Sequence, residues 1–187
     1  MRGRFVVLGL VAALALVVAA LAGAGVFRGT EGNDTIIGTA GPDLIAGRAG
    51  NDTIDAEAGN DRVYAGGGDD RVLGGAGDDF VRGGPGDDSL SGGAGNDVLR
   101  GRRGNDTVDG GDGNDVLWVG SGADRELGGD GNDRLHALAR DNQVDYVDCG
   151  AGNDVAFENA AEHDTFVSCE RVVRRTVTPK EAAEDDQ

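Results

Sequence analysis

Lysine is almost missing from this 187-residue chain: Lys180 is the only one. Its glycine-rich stretches therefore cannot form the lysine-bearing phosphate cradle of a nucleotide-binding loop. Aromatic residues make up 4 % of the chain, with a single Trp. That is too little for the apolar core a globular domain of this length normally buries. Two cysteines and two histidines lack the spacing of a zinc finger and any recognisable nucleophile–base arrangement. Basic residues number 17 against 34 acidic ones, a formal charge of −17, which argues against nucleic acid, whose phosphates need basic partners. Such a composition either stays disordered or is held by something other than a large core, and its charge favours cations.

What is present is repetition. From Gly29 the sequence divides into nines without a gap, from GTEGNDTII and GTAGPDLIA to GGDGNDVLW, VGSGADREL and GGDGNDRLH, twelve frames over residues 29–136. Position four is Gly and position six is Asp in all twelve. Position eight is Ile, Val or Leu in eleven, Glu126 being the exception. Position five is Asn or Asp in ten, Pro42 and Ala123 departing. Positions seven and nine mix residue types and suggest no regular array. A disordered linker would not keep a branched aliphatic residue in register.

These frames resemble the G-G-x-G-x-D-x-U-x repeat of the RTX (haemolysin-type) calcium-binding family. The resemblance implies an all-β fold, a parallel β-roll (right-handed β-solenoid) of nonapeptide repeats, two repeats per turn. It also implies Ca²⁺ held between stacked loops by Asp carboxylates and backbone carbonyls.

The residues lead to the same place. Glycines at positions one, two and four suit a turn with φ > 0 and close backbone approach. The half D-x-U-x alternates faces as a short strand does, with only position eight inward. Strands stacked about 4.8 Å apart would make six turns a rod roughly 29 Å long. Frames n and n+2 then meet on one edge, aligning Asp34, Asp52, Asp70, Asp88, Asp106 and Asp124. The opposite edge aligns Asp43, Asp61, Asp79, Asp97, Asp115 and Asp133. Like charges so stacked repel unless a cation lies between them. Calcium takes six to eight oxygens at about 2.3–2.6 Å, whereas magnesium demands a tight octahedron and keeps its waters. Five neighbouring pairs per edge allow about ten shared positions, so binding would be coupled to folding. The site using Asp124, in the frame with Val119, Ala123 and Glu126, is the least regular. Asn at position five reads as a turn residue rather than a ligand.

The ends differ from the middle. Met1–Arg4 is basic, residues 5–22 are apolar, and small residues follow, the pattern of a signal peptide over 1–24 with cleavage after Ala22 or Ala24. An uncleaved anchor is the alternative, since the run is at the lower limit for a span. On either reading the body of the protein leaves the cytosol; secretion to the extracellular space is the expected localisation, with anchoring by the uncleaved segment as the alternative. Residues 137–177 read as irregular capping rungs, because D-x-U recurs at Asp145, Asp154 and Asp164 with uneven spacing. Cys149 and Cys169 follow the strands at Asp145 and Asp164, where one disulfide would pin the last turn. A zinc site with His163 or free thiols are the rival readings. Residues 178–187 read as a disordered tail. The sequons at Asn33, Asn51 and Asn105 fall inside the repeat and read as accidental. Trp118 and Tyr64 read as ordinary outward-facing aromatics.

The function expected from all this is a secreted, non-enzymatic calcium-binding scaffold whose folding is coupled to Ca²⁺. A calcium-controlled adhesion or surface-interaction protein, with an unidentified protein or cell-surface partner, is the alternative. A hydrolase-associated module is less favoured, since no catalytic fold fits between the apolar segment and the first frame. No small-molecule substrate is evident.

Overall fold

The computed structural model describes residues 16–18, 23–139 and 141–176. Every regular element among them is a strand, and every strand pair is parallel. Two sheets face each other. The first is ten-stranded and runs in order through Leu16–Val18, Thr35–Thr39, Thr53–Glu57, Arg71–Ala76, Ser89–Ala94, Thr107–Asp112, Arg125–Gly131, Tyr146–Asp148 and Thr165–Val167, with Ala151–Gly152 beside Arg125–Gly131. The second is nine-stranded: Val26–Arg28, Leu44–Ala49, Arg62–Gly67, Phe80–Pro85, Val98–Arg103, Val116–Ser121, Arg134–Ala137, Val155–Asn159 and Arg171–Arg175. The chain alternates between sheets, so two frames make one turn of a parallel β-roll.

Register follows from that alternation. Ile36 lies beside Ile54, then Val72, Leu90 and Val108 in the first sheet. Phe27, Ile45, Val63, Val81, Leu99, Leu117 and Leu135 form the matching column in the second. These side chains are fully or almost fully buried. Parallel strands ordinarily need a long crossover. Here the intervening strand of the opposite sheet is that crossover, and the short turns at either end of it pair their backbone groups with the turns above and below: Thr53 N–H donates to Asp34 O at 2.9 Å, and Gly68 N–H to Pro85 O at 2.9 Å.

The strands are longer than the sequence suggests. They run from position seven through nine and on into positions one to three of the next frame, so position one faces inward along with position eight. Ala56, Ala65, Val119 and Ala137 occupy it as core residues. Glycine at position one is thus a strand residue and not a turn residue, which corrects the reading above. A Cβ on Gly74 would sit 2.5 Å from Asp79 Oδ2 and 2.6 Å from Gly92 O: the carboxylate folds back over the start of its own frame. Positions two and four take the positive φ, for example 109° at Gly75 and 129° at Gly77.

Beyond His136 the coil continues through longer loops. Tyr146–Asp148 pairs with both Arg125–Gly131 and Thr165–Val167, and Val155–Asn159 joins Arg171–Arg175. Cys149 and Cys169 are disulfide-bonded, with Cα atoms 5.0 Å apart. The bridge closes a loop with a sequence separation of 20 across the last turn, where a solenoid has no further neighbour. Replacing both cysteines by serine is expected to cost about 3 kcal/mol, read as a lowered thermal midpoint in millimolar calcium. An unchanged midpoint would show that the bridge does not hold the cap.

The expected signal segment lies outside the described residues except for Leu16–Val18, which pairs with Thr35–Thr39, and for residues 23 and 24. No helix among the described residues is long and apolar enough to cross a membrane. The expected tail at 178–187 also falls outside them.

Candidate metal centre

Both loop edges carry a continuous ladder of aspartates. On one edge the backbone N–H of Asp34 donates to Asp52 Oδ1 at 2.8 Å, Asp52 to Asp70 at 2.8 Å, Asp70 to Asp88 at 2.9 Å, Asp88 to Asp106 at 2.8 Å and Asp106 to Asp124 at 2.7 Å. On the other edge Asp43 donates to Asp61, Asp61 to Asp79, Asp79 to Asp97, Asp97 to Asp115 and Asp115 to Asp133, all at 2.7–2.8 Å. The twelve aspartates named from the sequence thus lie in two rows, each in contact with the one a full turn away.

Each carboxylate uses only half of itself in this way. The Oδ2 atoms of Asp52, Asp61, Asp70, Asp79, Asp88, Asp97, Asp106, Asp115 and Asp133 are buried with no hydrogen-bond partner. A buried carboxylate oxygen left without a donor is costly. The first two frames solve this internally. Thr30 N–H donates to Asp34 Oδ2 at 2.5 Å and Thr39 N–H to Asp43 Oδ2 at 2.6 Å, and both threonine hydroxyls reach the same carboxylates. From Asp52 onward position two is Arg, Glu or Gly, none of which brings a hydroxyl to the carboxylate in place of threonine, though the Gly84 backbone N–H still draws Asp88 down somewhat.

The electrostatics match. Burial, followed by repulsion from neighbouring carboxylates and opposed by the ladder hydrogen bond, pushes Asp70 and Asp79 up to about 6, with Asp133 likewise. The same causes raise Asp88 and Asp97 to about 7 and Asp106 to about 8. Without a cation these six aspartates hold protons far more tightly than free aspartate does. Among the described residues no three carboxylate, imidazole or thiol groups converge on one point. Each loop brings one inward carboxylate, so the remaining oxygens around a cation must be backbone carbonyls. Orphaned, inward carboxylate oxygens beside glycine carbonyls are the donor set a hard cation such as calcium takes, and no nitrogen or sulfur competes. The residues fit calcium.

The family model of the RTX calcium-binding nonapeptide repeat matches residues 28–63, 64–99, 91–126 and 127–156. The chain belongs to this RTX calcium-binding repeat family. Its cofactor is Ca²⁺, and the protein is a calcium-binding repeat protein. No curated protein matches the sequence.

The RTX roll also contains elements that the frames do not announce. The ladder runs on from Asp124 to Asp145 and Asp164, and from Asp133 to Asp154 and Glu170 Oε2. D-x-U at Asp145, Asp154 and Asp164 was a signal for the first three; Glu170 has none. Position five builds a second, exposed ladder running the other way: Asn51 N–H donates back to Asn33 Oδ1 at 2.8 Å, and Asn105 N–H back to Asp87 Oδ1 at 2.7 Å. These side chains hold the turns in stack. Glu126, at an inward position eight, is fully buried and accepts the His136 N–H at 3.1 Å. Burial raises its carboxyl well above the ordinary range.

Raised folded-state values give the calcium-free roll a definite pH dependence. Protons bind its aspartates more tightly than those of the unfolded chain. This stabilisation is fully present below the ordinary carboxylate value of 3.8 and is lost as pH rises through about 6 to about 8. Demetallated protein is therefore expected to show more β-sheet circular dichroism at pH 5.5 than at pH 8, both clear of the isoelectric point near 4.3. With calcium the order reverses, because protons compete for the same oxygens. Equal signals at the two pH values without metal would contradict the burial of these carboxylates.

Proposed function

We propose that this is a secreted, non-enzymatic calcium-binding scaffold that folds when it meets extracellular calcium, with Ca²⁺ shared between successive aspartates of each edge. The observation that carries the reading is the set of buried Oδ2 atoms of Asp52, Asp61, Asp70, Asp79, Asp88, Asp97, Asp106, Asp115 and Asp133 without hydrogen-bond partners, repeated turn after turn. Asp34 and Asp43, whose oxygens are met by Thr30 and Thr39, close the first turn. A role outside the cytosol is supported by the basic and apolar N-terminal segment and by the Cys149–Cys169 bridge. The carboxylates repeat one arrangement at every turn instead of forming a single constellation of nucleophile, base and oxyanion donors, which favours structure over catalysis.

Calcium counted per chain by elemental analysis after equilibrium dialysis tests the site assignment. On the order of eight to ten ions, taken up cooperatively, is the expected result; one ion or none would sink it. N-terminal sequencing of protein exported from a bacterial host tests the secretory reading, with Gly23 or Gly25 expected first.

A further inference from the structure

The outer face of the second sheet is unlike the rest of this acidic protein. Its strands contain one acidic residue, Glu158, which is buried and paired with Arg174. The first sheet's strands carry Asp55, Glu57, Asp109, Asp112, Asp130 and Asp148 besides the buried Glu126. Across the second sheet a line of rings and guanidinium groups crosses successive turns. Tyr64 and Phe80 rings lie 5.9 Å apart; the Arg100 guanidinium sits 5.8 Å from Phe80 and 4.8 Å from Trp118. Trp118, His136 and Phe157 then stack at 4.6 Å intervals, and Arg175 closes the line 4.6 Å over Phe157. Arg62, Arg134 and Arg171 stand exposed in the neighbouring column. Burial, then the nearby Arg175 and Arg134, push His136 down to about 4, so the arginines alone charge this face at neutral pH.

We infer that this face is a binding strip for a linear acidic polysaccharide carrying carboxylate or sulfate groups. Ring faces in the stack are already covered by one another, which leaves their electropositive edges and the guanidinium forks outward, and both attract anions. The strip extends over six rung intervals, roughly 29 Å, and its strands are about 20 Å long. Acidic loops border it: a cleft of about 710 Å³ beside Arg62 and Phe80 has Asp61, Asp78 and Asp79 in its lining. A single extended glycan chain is narrow enough to lie on the arginines between those borders. A nucleic acid duplex, with one charge per ~1.7 Å of axis, or an anionic bilayer would press its charge against the exposed loop carboxylates on both borders, Asp69 and Asp87 on one and Asp78 on the other.

The inference rests on the calcium-folded roll, so its test is run in 5 mM calcium with the fold checked by circular dichroism, and a failure to fold is seen apart from a failure to bind. A size-defined heparin octasaccharide is titrated into the whole chain, with fluorescence of Trp118, the single Trp, as one readout and calorimetry as the other. Saturable binding that weakens with salt and is absent with neutral dextran is expected. The pair Arg100→Ser and Arg134→Ser should weaken it by about tenfold or more, while Arg71→Ser with Arg125→Ser on the first sheet, the same change of charge, should leave it within about twofold. Serine already occupies positions seven and nine at Ser89 and Ser91. Equal loss in both pairs, no binding by the folded protein, or tighter binding of single-stranded DNA or phosphatidylserine vesicles would each overturn the assignment.

Discussion

Transferring the protein from 5 mM calcium into chelator at pH 7.5 is expected to abolish its β-sheet circular dichroism and to expand its radius of gyration from about 15–20 Å to about 40 Å. The reason lies in the core. Each frame of nine residues buries at most one large aliphatic side chain, such as Ile54 or Val72, with a small one such as Ala65 at position one in some frames, contributing about 1.5–3 kcal/mol for the large one, less than the backbone entropy those nine residues give up. Strand pairing adds hydrogen bonds, but the same stack forces Asp70 against Asp88 and Asp88 against Asp106. Ions remove that repulsion. A site with a dissociation constant near 10⁻⁴ M adds about 2 kcal/mol in 5 mM calcium, and the roll repeats the site along both edges. Magnesium at the same concentration should not restore the fold, because loops offering mostly carbonyls leave it better hydrated in water. A chain that keeps its strands and its radius in chelator at neutral pH would remove the coupling of folding to calcium.

Much of this architecture is legible in the residues, and what is not has identifiable causes. Phase alone gives the two-frame turn, the inward column at position eight and the division of the aspartates between two edges. Position one is ambiguous because glycine serves equally in a turn and in a crowded strand; only the burial of Ala56 and Ala65 shows which it is. The caps at Asp34 and Asp43 had a signal, since threonine occupies position two at Thr30 and Thr39 and in no later frame. The arginine and aromatic strip was hidden by reading the frames in chain order. Positions seven and nine look mixed along the chain, yet alternate frames feed opposite sheets. Sorted by parity, Tyr64, Arg82, Arg100, Trp118 and His136 fall on one sheet, and Asp55 and Asp109 on the other. Glu170 as the last acceptor of a ladder left no trace in the sequence, because its loop departs from the period.

The middle of an edge should matter more than its end. Asp106 accepts the Asp88 N–H and sends its own N–H to Asp124, so it borders two of the proposed shared positions, whereas Asp34 has one such neighbour, Asp52. Asp106→Ala is expected to cost about 5–7 kcal/mol in millimolar calcium, two sites at about 2 kcal/mol each plus about 1–3 kcal/mol for the buried N–H that loses its acceptor. Asp34→Ala should cost about half as much. Asp106→Asn separates the two contributions. Its side-chain oxygen still accepts from Asp88, but it brings no charge to a cation, so in calcium it should be nearly as damaging as alanine. Without calcium at pH 8 the order turns over, because the native carboxylate, pushed up to about 8 by burial and by its Asp124 and Asp88 neighbours, opposes folding when it ionises and asparagine does not. Urea or thermal unfolding in calcium, and residual circular dichroism in chelator, read the two arms. If asparagine behaves like the native residue in calcium, the aspartate rows serve only as hydrogen-bond ladders, and calcium must be held elsewhere in the turns.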